Sequence, residues 1–341
     1  MSIDKEGIPK QAKKGDEMKK ILLTNRYTGL PLEIVKGVVP QDFCIEMLAE
    51  ATGECLANSV ADADYLLAGG RVRVDEGVLC QARKLRMIQR SGVGLDSLDL
   101  EALRRHGIPL YVNQGINSQS VAEHALLLML ACLRRLPILH RNTVAGIWKK
   151  QEQGVLTSEL HGKTVGLVGI GNIARKVVGM LRGFGARIIY YDPFRLDGGK
   201  EQELAVEYRE LPELLAESDI ISLHCPLTDS NKGMVNAETI AKMKHGAILV
   251  NTARGGLVDA KALHAALADG ALSFAGLDVH ESEPIPADYP LKSLPNVILT
   301  PHVAGVTSDS FRNMMAEAMR NIALFDQGKL SEIEHCRYDL H

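Results

Sequence analysis

The feature that most restricts what this chain can become is an apolar run that breaks on a glycine turn: Val165-Gly166-Leu167-Val168-Gly169-Ile170-Gly171-Asn172-Ile173-Ala174. Gly169 permits a tight turn out of a strand, and Gly171 leaves room for a diphosphate to approach the backbone. Ala174 takes the third small position, where the following helix packs on the strand. A helix that begins there offers its free N–H groups and positive dipole end to an anion. A plain strand-to-helix turn reads the same over so short a stretch, so the context decides. The next apolar run, Arg187 to Tyr191, ends in Asp192, eighteen residues past Ala174, where a carboxylate accepts hydrogen bonds from ribose hydroxyls. The pair predicts a dinucleotide site. An acidic residue at that point repels a 2′-phosphate and favours NAD (NADH) over NADP, a preference that the nearby Arg195 weakens.

The rest of the chain agrees with a parallel sheet covered on both faces, because short Ile/Val/Leu runs alternate with helical patterns throughout. A first group of strands is predicted at Ile21-Leu23, Tyr65-Ala68, Leu85-Gln89 and Leu110-Asn113. A second is predicted at Thr164-Gly169, Arg187-Asp192, Asp219-His224, Ala247-Thr252, Ala275-Val279 and Val297-Thr300. At 341 residues, 46% of them hydrophobic, the chain suits two filled cores. Ser120 and Glu123 read as a capping box opening an apolar helix from Val121 to Leu136 between the groups. An amphipathic segment from Ser308 to Gln327 returns the chain to the first group. The predicted fold is α/β: two doubly wound parallel-sheet domains, with a dinucleotide-binding domain (118–306) inserted in a discontinuous domain (19–117 and 307–341) that handles substrate. A cleft between them is expected to hold the reactants. Residues 1–18 read as a flexible extension.

Composition excludes several classes of partner. The formal net charge is −3, and there is no basic run interleaved with aromatics, which argues against nucleic acid. The longest apolar stretch, Ala125 to Leu133, falls short of the roughly 18 residues a bilayer span requires, so no membrane partner is expected. Six cysteines scattered without paired spacing speak against a disulfide framework and a metal site, and for a cytoplasmic protein with reduced thiols.

Open α/β sheets bind ligands at the carboxyl ends of their strands. Applied to the second group, that rule collects Gly169, Asp192, Cys225-Pro226, Thr252-Ala253-Arg254, Asp278 and His302. Reduction of a 2-keto acid needs a cation for carboxylate and carbonyl, and a general acid for the developing alkoxide. Arg254 has a permanent charge and a fork that matches a carboxylate. His302 titrates near neutrality, and Glu283, if it touches the imidazole, stabilises the protonated ring and fixes its tautomer. Taken singly, Arg254 also fits a surface ion pair, His302 a structural histidine and Glu283 a solvated loop carboxylate.

Together, Gly-Ile-Gly-Asn-Ile-Ala, Tyr191-Asp192-Pro193, Asn251-Thr252-Ala253-Arg254-Gly255-Gly256, Gly276-Leu277-Asp278-Val279 with Glu283-Pro284, and Thr300-Pro301-His302 closely resemble the D-isomer-specific 2-hydroxyacid dehydrogenases. The resemblance runs from about Leu85 to Asn321, with five motifs in order. It implies that Arg254 binds and polarises the substrate, Glu283 supports the histidine and His302 donates the proton. Asn172, Ile173, Cys225, Pro226 and Thr252, with Ala253 beside it, would contact the cofactor, and Asp278 would lie near the nicotinamide. It also implies that Ser91-Gly92-Val93-Gly94-Leu95-Asp96 is a substrate loop, with the N–H groups of Val93 and Gly94 holding the carboxylate. A homodimer is implied too, built on the helix from Val121 to Leu136 and the segment through Trp148. His124 reads as structural, and His280 stands where the family commonly has an aromatic residue. Glu283 speaks against a formate-oxidising relative, which carries glutamine there, and the loop lacks the lysine of phosphite-oxidising ones. Glyoxylate, hydroxypyruvate, larger 2-keto acids and a phosphorylated acid stay open, the last through Arg71 and Arg73. The alternative from another class is a dinucleotide-sensing, corepressor-like interaction protein, against which the lack of long disordered tails weighs.

Overall fold

The computed structural model describes residues 18–92 and 94–340. The predicted extension therefore lies almost wholly outside the described residues, as does Val93. The chain divides into two compact units: residues up to Ile116 joined by Phe311 onward, and Asn117–Ser310.

In the first unit, β1 (Lys19–Leu23), β2 (Phe43–Met47), β3 (Tyr65–Ala68), β4 (Met87–Arg90) and β5 (Leu110–Val112) form a parallel sheet in the order β2-β1-β3-β4-β5. Arg337–Tyr338 adds to the β5 edge in antiparallel sense. Two of these strands escaped the sequence reading. β2 is a half-exposed edge strand, Phe-Cys-Ile-Glu-Met, in which only Phe43 is buried, and Arg337–Tyr338 is too short to carry a pattern. Adjacent residues of one strand feed opposite cores. Leu22, Leu66, Ile88 and Leu110 pack on one face, whereas Ile21, Leu23, Tyr65, Met87 and Tyr111 pack on the other against Met315, Ala318 and Ile322 of the helix Ser308–Asp326. Covering both faces is why these strands read as continuous apolar runs.

The second unit holds β6 (Thr164–Val168), β7 (Arg187–Tyr191), β8 (Glu207–Tyr208), β9 (Ile220–Leu223), β10 (Ala247–Asn251), β11 (Leu272–Leu277) and β12 (Val297–Leu299). Its seven parallel strands lie in the order β8-β7-β6-β9-β10-β11-β12. The order reverses between β6 and β9, the switch point at which such sheets open a crevice for ligands. Every residue of β6, β9 and β10 is buried.

The capping box is corrected by the structure. The apolar helix starts a turn earlier, at Ser118, with Asn117 as its cap, and Ser120 lies inside it with its hydroxyl against Thr307 Oγ1 at 3.3 Å. Glu123 accepts instead from Gln119 Nε2 at 2.8 Å. The helix stops at Leu133, because Arg135 adopts a left-handed φ of 49°, and a second helix runs from Leu136 to Val144. All six cysteines are free. Among the described residues, no helix is long and apolar enough to cross a membrane.

One ion cluster ties the returning helix to the first sheet. Asp326 accepts from Lys19 Nζ at 2.5 Å, Tyr65 Oη at 2.7 Å and Arg86 Nη1 at 2.7 Å, with its side chain 12% exposed. Burial pushes this carboxyl up, but the hydrogen bonds from Lys19, Tyr65 and Arg86 outweigh it and hold the group below the usual range. A depressed carboxyl stabilises the fold above its unfolded pKa, and that contribution is lost as pH falls through the folded value. Asp326→Asn should therefore cost about 1–2 kcal/mol at neutral pH, read as a lower urea midpoint. The gap to the wild type should close as the solution is acidified.

Candidate active site

The candidate site is built where β6, β7, β10 and β11 end. At β6, Gly169 has φ +97°, and a Cβ there would stand 2.9 Å from Cys225 N and from His224 C, so the turn admits only glycine. Its N–H donates to Tyr191 O at 2.7 Å, and the Ile170 N–H donates to Asp192 Oδ2 at 3.0 Å. The glycine turn and the acidic end of β7 are thus bonded to each other. Gly171 caps the helix Asn172–Gly183 without a side-chain hydrogen bond, and a Cβ on Gly171 would meet nothing within 4 Å. Asn172 is exposed, Ile173 partly so, and Ala174 is buried against the sheet.

Cys225 and Pro226 follow β9. The Cys225 thiol is pushed up to about 11 by burial, which makes it neutral and unreactive, while Pro226 O accepts from Asn231 Nδ2 at 2.8 Å. His224 beside them is pushed down to about 4 by burial and stays uncharged, with Nε2 2.9 Å from Ser222 Oγ.

Asn251 clips the turn after β10. It is 1% exposed, its Oδ1 accepts from Ala253 N at 3.0 Å, and its Nδ2 donates to Arg254 O at 2.8 Å. Arg254 Nη1 donates to Ala253 O at 2.7 Å. Gly255 is the position the sequence reading passed over: a Cβ there would fall 2.0 Å from His280 C. Only glycine lets the Arg254 turn lie against the segment that carries Glu283. Thr252 Oγ1 is buried without a hydrogen-bond partner.

The segment after β12 curls around one carboxylate. Asp278, fully buried at the end of β11, accepts through Oδ1 from Thr300 Oγ1 at 2.5 Å and Val303 N at 3.0 Å, and through Oδ2 from Ala304 N at 2.8 Å. Its backbone oxygen takes His302 N at 2.8 Å. His124 Nε2 lies 3.1 Å from Thr300 Oγ1 and 3.6 Å from Asp278 Oδ1, in agreement with its structural reading. Asp278, the residue expected near the nicotinamide, has its carboxylate bonded to the segment from Thr300 to Ala304, and those bonds hold His302 in a left-handed conformation, φ 55°. Such a residue costs on the order of 1–3 kcal/mol and persists only where its surroundings impose it.

Glu283 Oε2 lies 2.8 Å from His302 Nδ1, and Oε1 accepts from His280 N at 3.0 Å. His280, where an aromatic is common, behaves as one against Tyr289, edge to face at 5.7 Å, while its Nε2 lies 3.0 Å from Thr300 O. The hydrogen bond that His302 donates to Glu283 raises the His302 pKa above its ordinary value. Burial opposes this, the charges of Glu283 and Asp278 add to it, and Arg254 works against it. Burial pushes Glu283 up, but the bonds from His302 and His280 N outweigh it and hold the carboxyl low. With Nδ1 committed, Nε2 is the ring nitrogen left to exchange a proton. Arg254, Glu283 and His302 thus sit within one electrostatic neighbourhood. Gly94, in the first unit, has its carbonyl held by Arg90 Nε at 2.6 Å.

The model of the NAD binding domain of D-isomer specific 2-hydroxyacid dehydrogenases matches residues 126–304. The chain belongs to this family. A glyoxylate reductase of Korarchaeum cryptofilum is 38% identical over 284 residues, covering 83% of this chain and 85% of that protein. A hydroxypyruvate reductase of Thermotoga maritima is 40% identical over 270 residues, covering 78% and 86%. The solved D-lactate dehydrogenase of Aquifex aeolicus, complexed with NAD and lactic acid, is 28% identical with a TM-score of 0.81, covering 94% of this chain and 98% of that one. The dehydrogenase is an NAD-binding oxidoreductase that transfers a hydride to or from C2 of a 2-keto or 2-hydroxy acid. A sensing role without catalysis is not favoured. The glycine-only turn, the uncapped helix start and the orphaned Thr252 hydroxyl all suit a dinucleotide.

Replacing Glu283 by Gln removes the negative charge that raises the His302 pKa and leaves only a neutral acceptor in its place. In a ring-proton NMR titration of the variant, His302 should titrate at lower pH than in the wild type; an unmoved midpoint would exclude the pairing.

Proposed function

We propose that this dehydrogenase reduces a short, unphosphorylated 2-keto acid of the glyoxylate or hydroxypyruvate kind with NADH. Arg254 binds its carboxylate and carbonyl, and His302, held by Glu283, is the proton donor. The observation that carries this reading is the 2.8 Å bond between Glu283 Oε2 and His302 Nδ1, within reach of the Arg254 charge. The two relatives named above support the substrate class.

Gly169, Gly171, Asn172, Ile173, Asp192, Cys225, Pro226, Thr252 and Ala253 would hold the dinucleotide, with Asp278 near the nicotinamide. NADH, when bound, supplies the hydride. The chain's own residues do the rest. Arg254 offers a fixed positive charge to the substrate and polarises the carbonyl toward attack. As negative charge develops on the C2 oxygen, His302 delivers the proton on Nε2, and Glu283 stabilises the imidazolium until that moment and keeps the tautomer afterwards. Reduction needs the protonated ring, so its rate should fall as pH rises through the raised His302 pKa. Glu283→Gln should move that fall to lower pH. Asp192 sets the preference for NAD, since a 2′-phosphate would meet its carboxylate.

A homodimer is the proposed assembly. Val144, Trp148, Val155 and Leu156 are exposed apolar side chains in one stretch of chain, Trp148 at 81%, and an apolar surface of this kind is normally covered. Trp148→Glu should lower the mass found by light scattering to that of one chain.

The enzymatic test is NADH oxidation against a panel of glyoxylate, hydroxypyruvate, pyruvate, phenylpyruvate and 3-phosphohydroxypyruvate. Glyoxylate or hydroxypyruvate should give the highest kcat/KM. His302→Ala and Arg254→Ala should each reduce kcat by about 100-fold or more with NADH affinity retained. Rates like the wild type in both variants would refute the assignment.

A further inference from the structure

Arg195 stands three residues beyond Asp192, where a guanidinium commonly receives the 2′-phosphate of NADP. In this chain the group is already held. Its Nε donates to Glu201 Oε1 at 2.9 Å and its Nη2 to Glu201 Oε2 at 3.2 Å, and the guanidinium lies over the Tyr208 ring, 4.7 Å from the centroid. Glu201 is fixed in turn. It accepts from Tyr190 Oη at 2.8 Å, and Tyr190 Oη accepts from Leu196 N at 3.0 Å. The carboxylate side chain is 16% exposed, and it projects from the short helix Gly198–Leu204, whose cap Asp197 accepts from Lys200 N. Nothing in the reaction described above uses this four-residue arrangement.

Its chemistry bears on the cofactor. A guanidinium binds a carboxylate and a phosphate with the same two-pronged fork, so Glu201 occupies the face of Arg195 that a phosphate would need. We propose that Glu201 is a second determinant of cofactor choice: by gripping Arg195 it withholds that fork from a 2′-phosphate, so that discrimination against NADP rests on Asp192 and Glu201 together. This rests on the reading that the adenosine ribose meets Asp192. Magnitudes set the order of the two. An exposed ion pair holds its partners weakly, so the grip of Glu201 on Arg195 adds at most about fivefold to the discrimination and shows only once the Asp192 charge is gone. Releasing Arg195 alone should therefore change little, and releasing it after Asp192 is gone should change more.

The test measures binding without turnover, by calorimetric titration of 2′,5′-ADP and 5′-AMP into the full-length wild type, Asp192→Ala, Glu201→Gln, Asp192→Ala/Glu201→Gln, and that double variant carrying Arg195→Ala. Glutamine keeps an acceptor for Tyr190 Oη, and thermal midpoints check that each fold is intact. Relative to Asp192→Ala, the double variant should bind 2′,5′-ADP about threefold to fivefold tighter with 5′-AMP unchanged. The gain should fade at high salt and vanish with Arg195→Ala, and kcat/KM for NADPH should rise in parallel. Equal 2′,5′-ADP affinity in Asp192→Ala and the double variant would overturn the proposal while leaving the Asp192 reading intact. So would a gain that survives Arg195→Ala. Failure of Asp192→Ala to favour 2′,5′-ADP at all would remove the adenosine reading, and the proposal with it.

Discussion

A buried charge survives in a protein only when its surroundings solvate it, and Asp278 is solvated by the very segment that carries the histidine. The N–H groups of Val303 and Ala304 and the hydroxyl of Thr300 supply its carboxylate with donors, and the His302 N–H goes to its backbone oxygen. The chain from Thr300 to Ala304 can satisfy that group only by wrapping it, and wrapping it turns His302 into the left-handed conformation from which its ring reaches Glu283. The Glu283–His302 pair is thus a product of burial. Removing the carboxylate would leave three donors unpaired in the interior and release the strain at His302 together.

The remaining groups arrive by sheet topology. Parallel strands put all their carboxyl ends on one edge, so residues as far apart in sequence as Gly169, Asp192, Arg254 and His302 emerge along one edge of the second sheet. Two glycines then set the close approaches. Gly169 brings the glycine turn after β6 against the end of β9, and Gly255 brings the Arg254 turn against His280.

Much of this was legible in the sequence because doubly covered strands advertise themselves as apolar runs, and because catalytic residues cluster at their ends. What escaped had weak or misleading local signals. β2 is half solvated, so its pattern is diluted, and β8 is two residues long. Ser120 and Glu123 have the spacing of a capping box, but the helix already begins at Ser118, so Ser120 lies inside it and caps nothing. Asp278 sits at a strand end like its neighbours, and nothing in its local sequence says that its side chain turns inward. The role of Gly255 depends on a backbone 25 residues away, at His280, which no window on the sequence can see.

The first unit is assembled from both sides of the second. Its sheet offers Ile21, Leu23, Tyr65 and Met87 to the helix Ser308–Asp326, which is synthesised after the whole of the second unit. On the ribosome, the second sheet is therefore complete while one face of the first is still bare. Nascent chains fold as their segments emerge, so this protein spends the translation of nearly two hundred residues with an open apolar face awaiting its cover. That interval, set by the order of segments along the chain, leaves apolar surface open to aggregation.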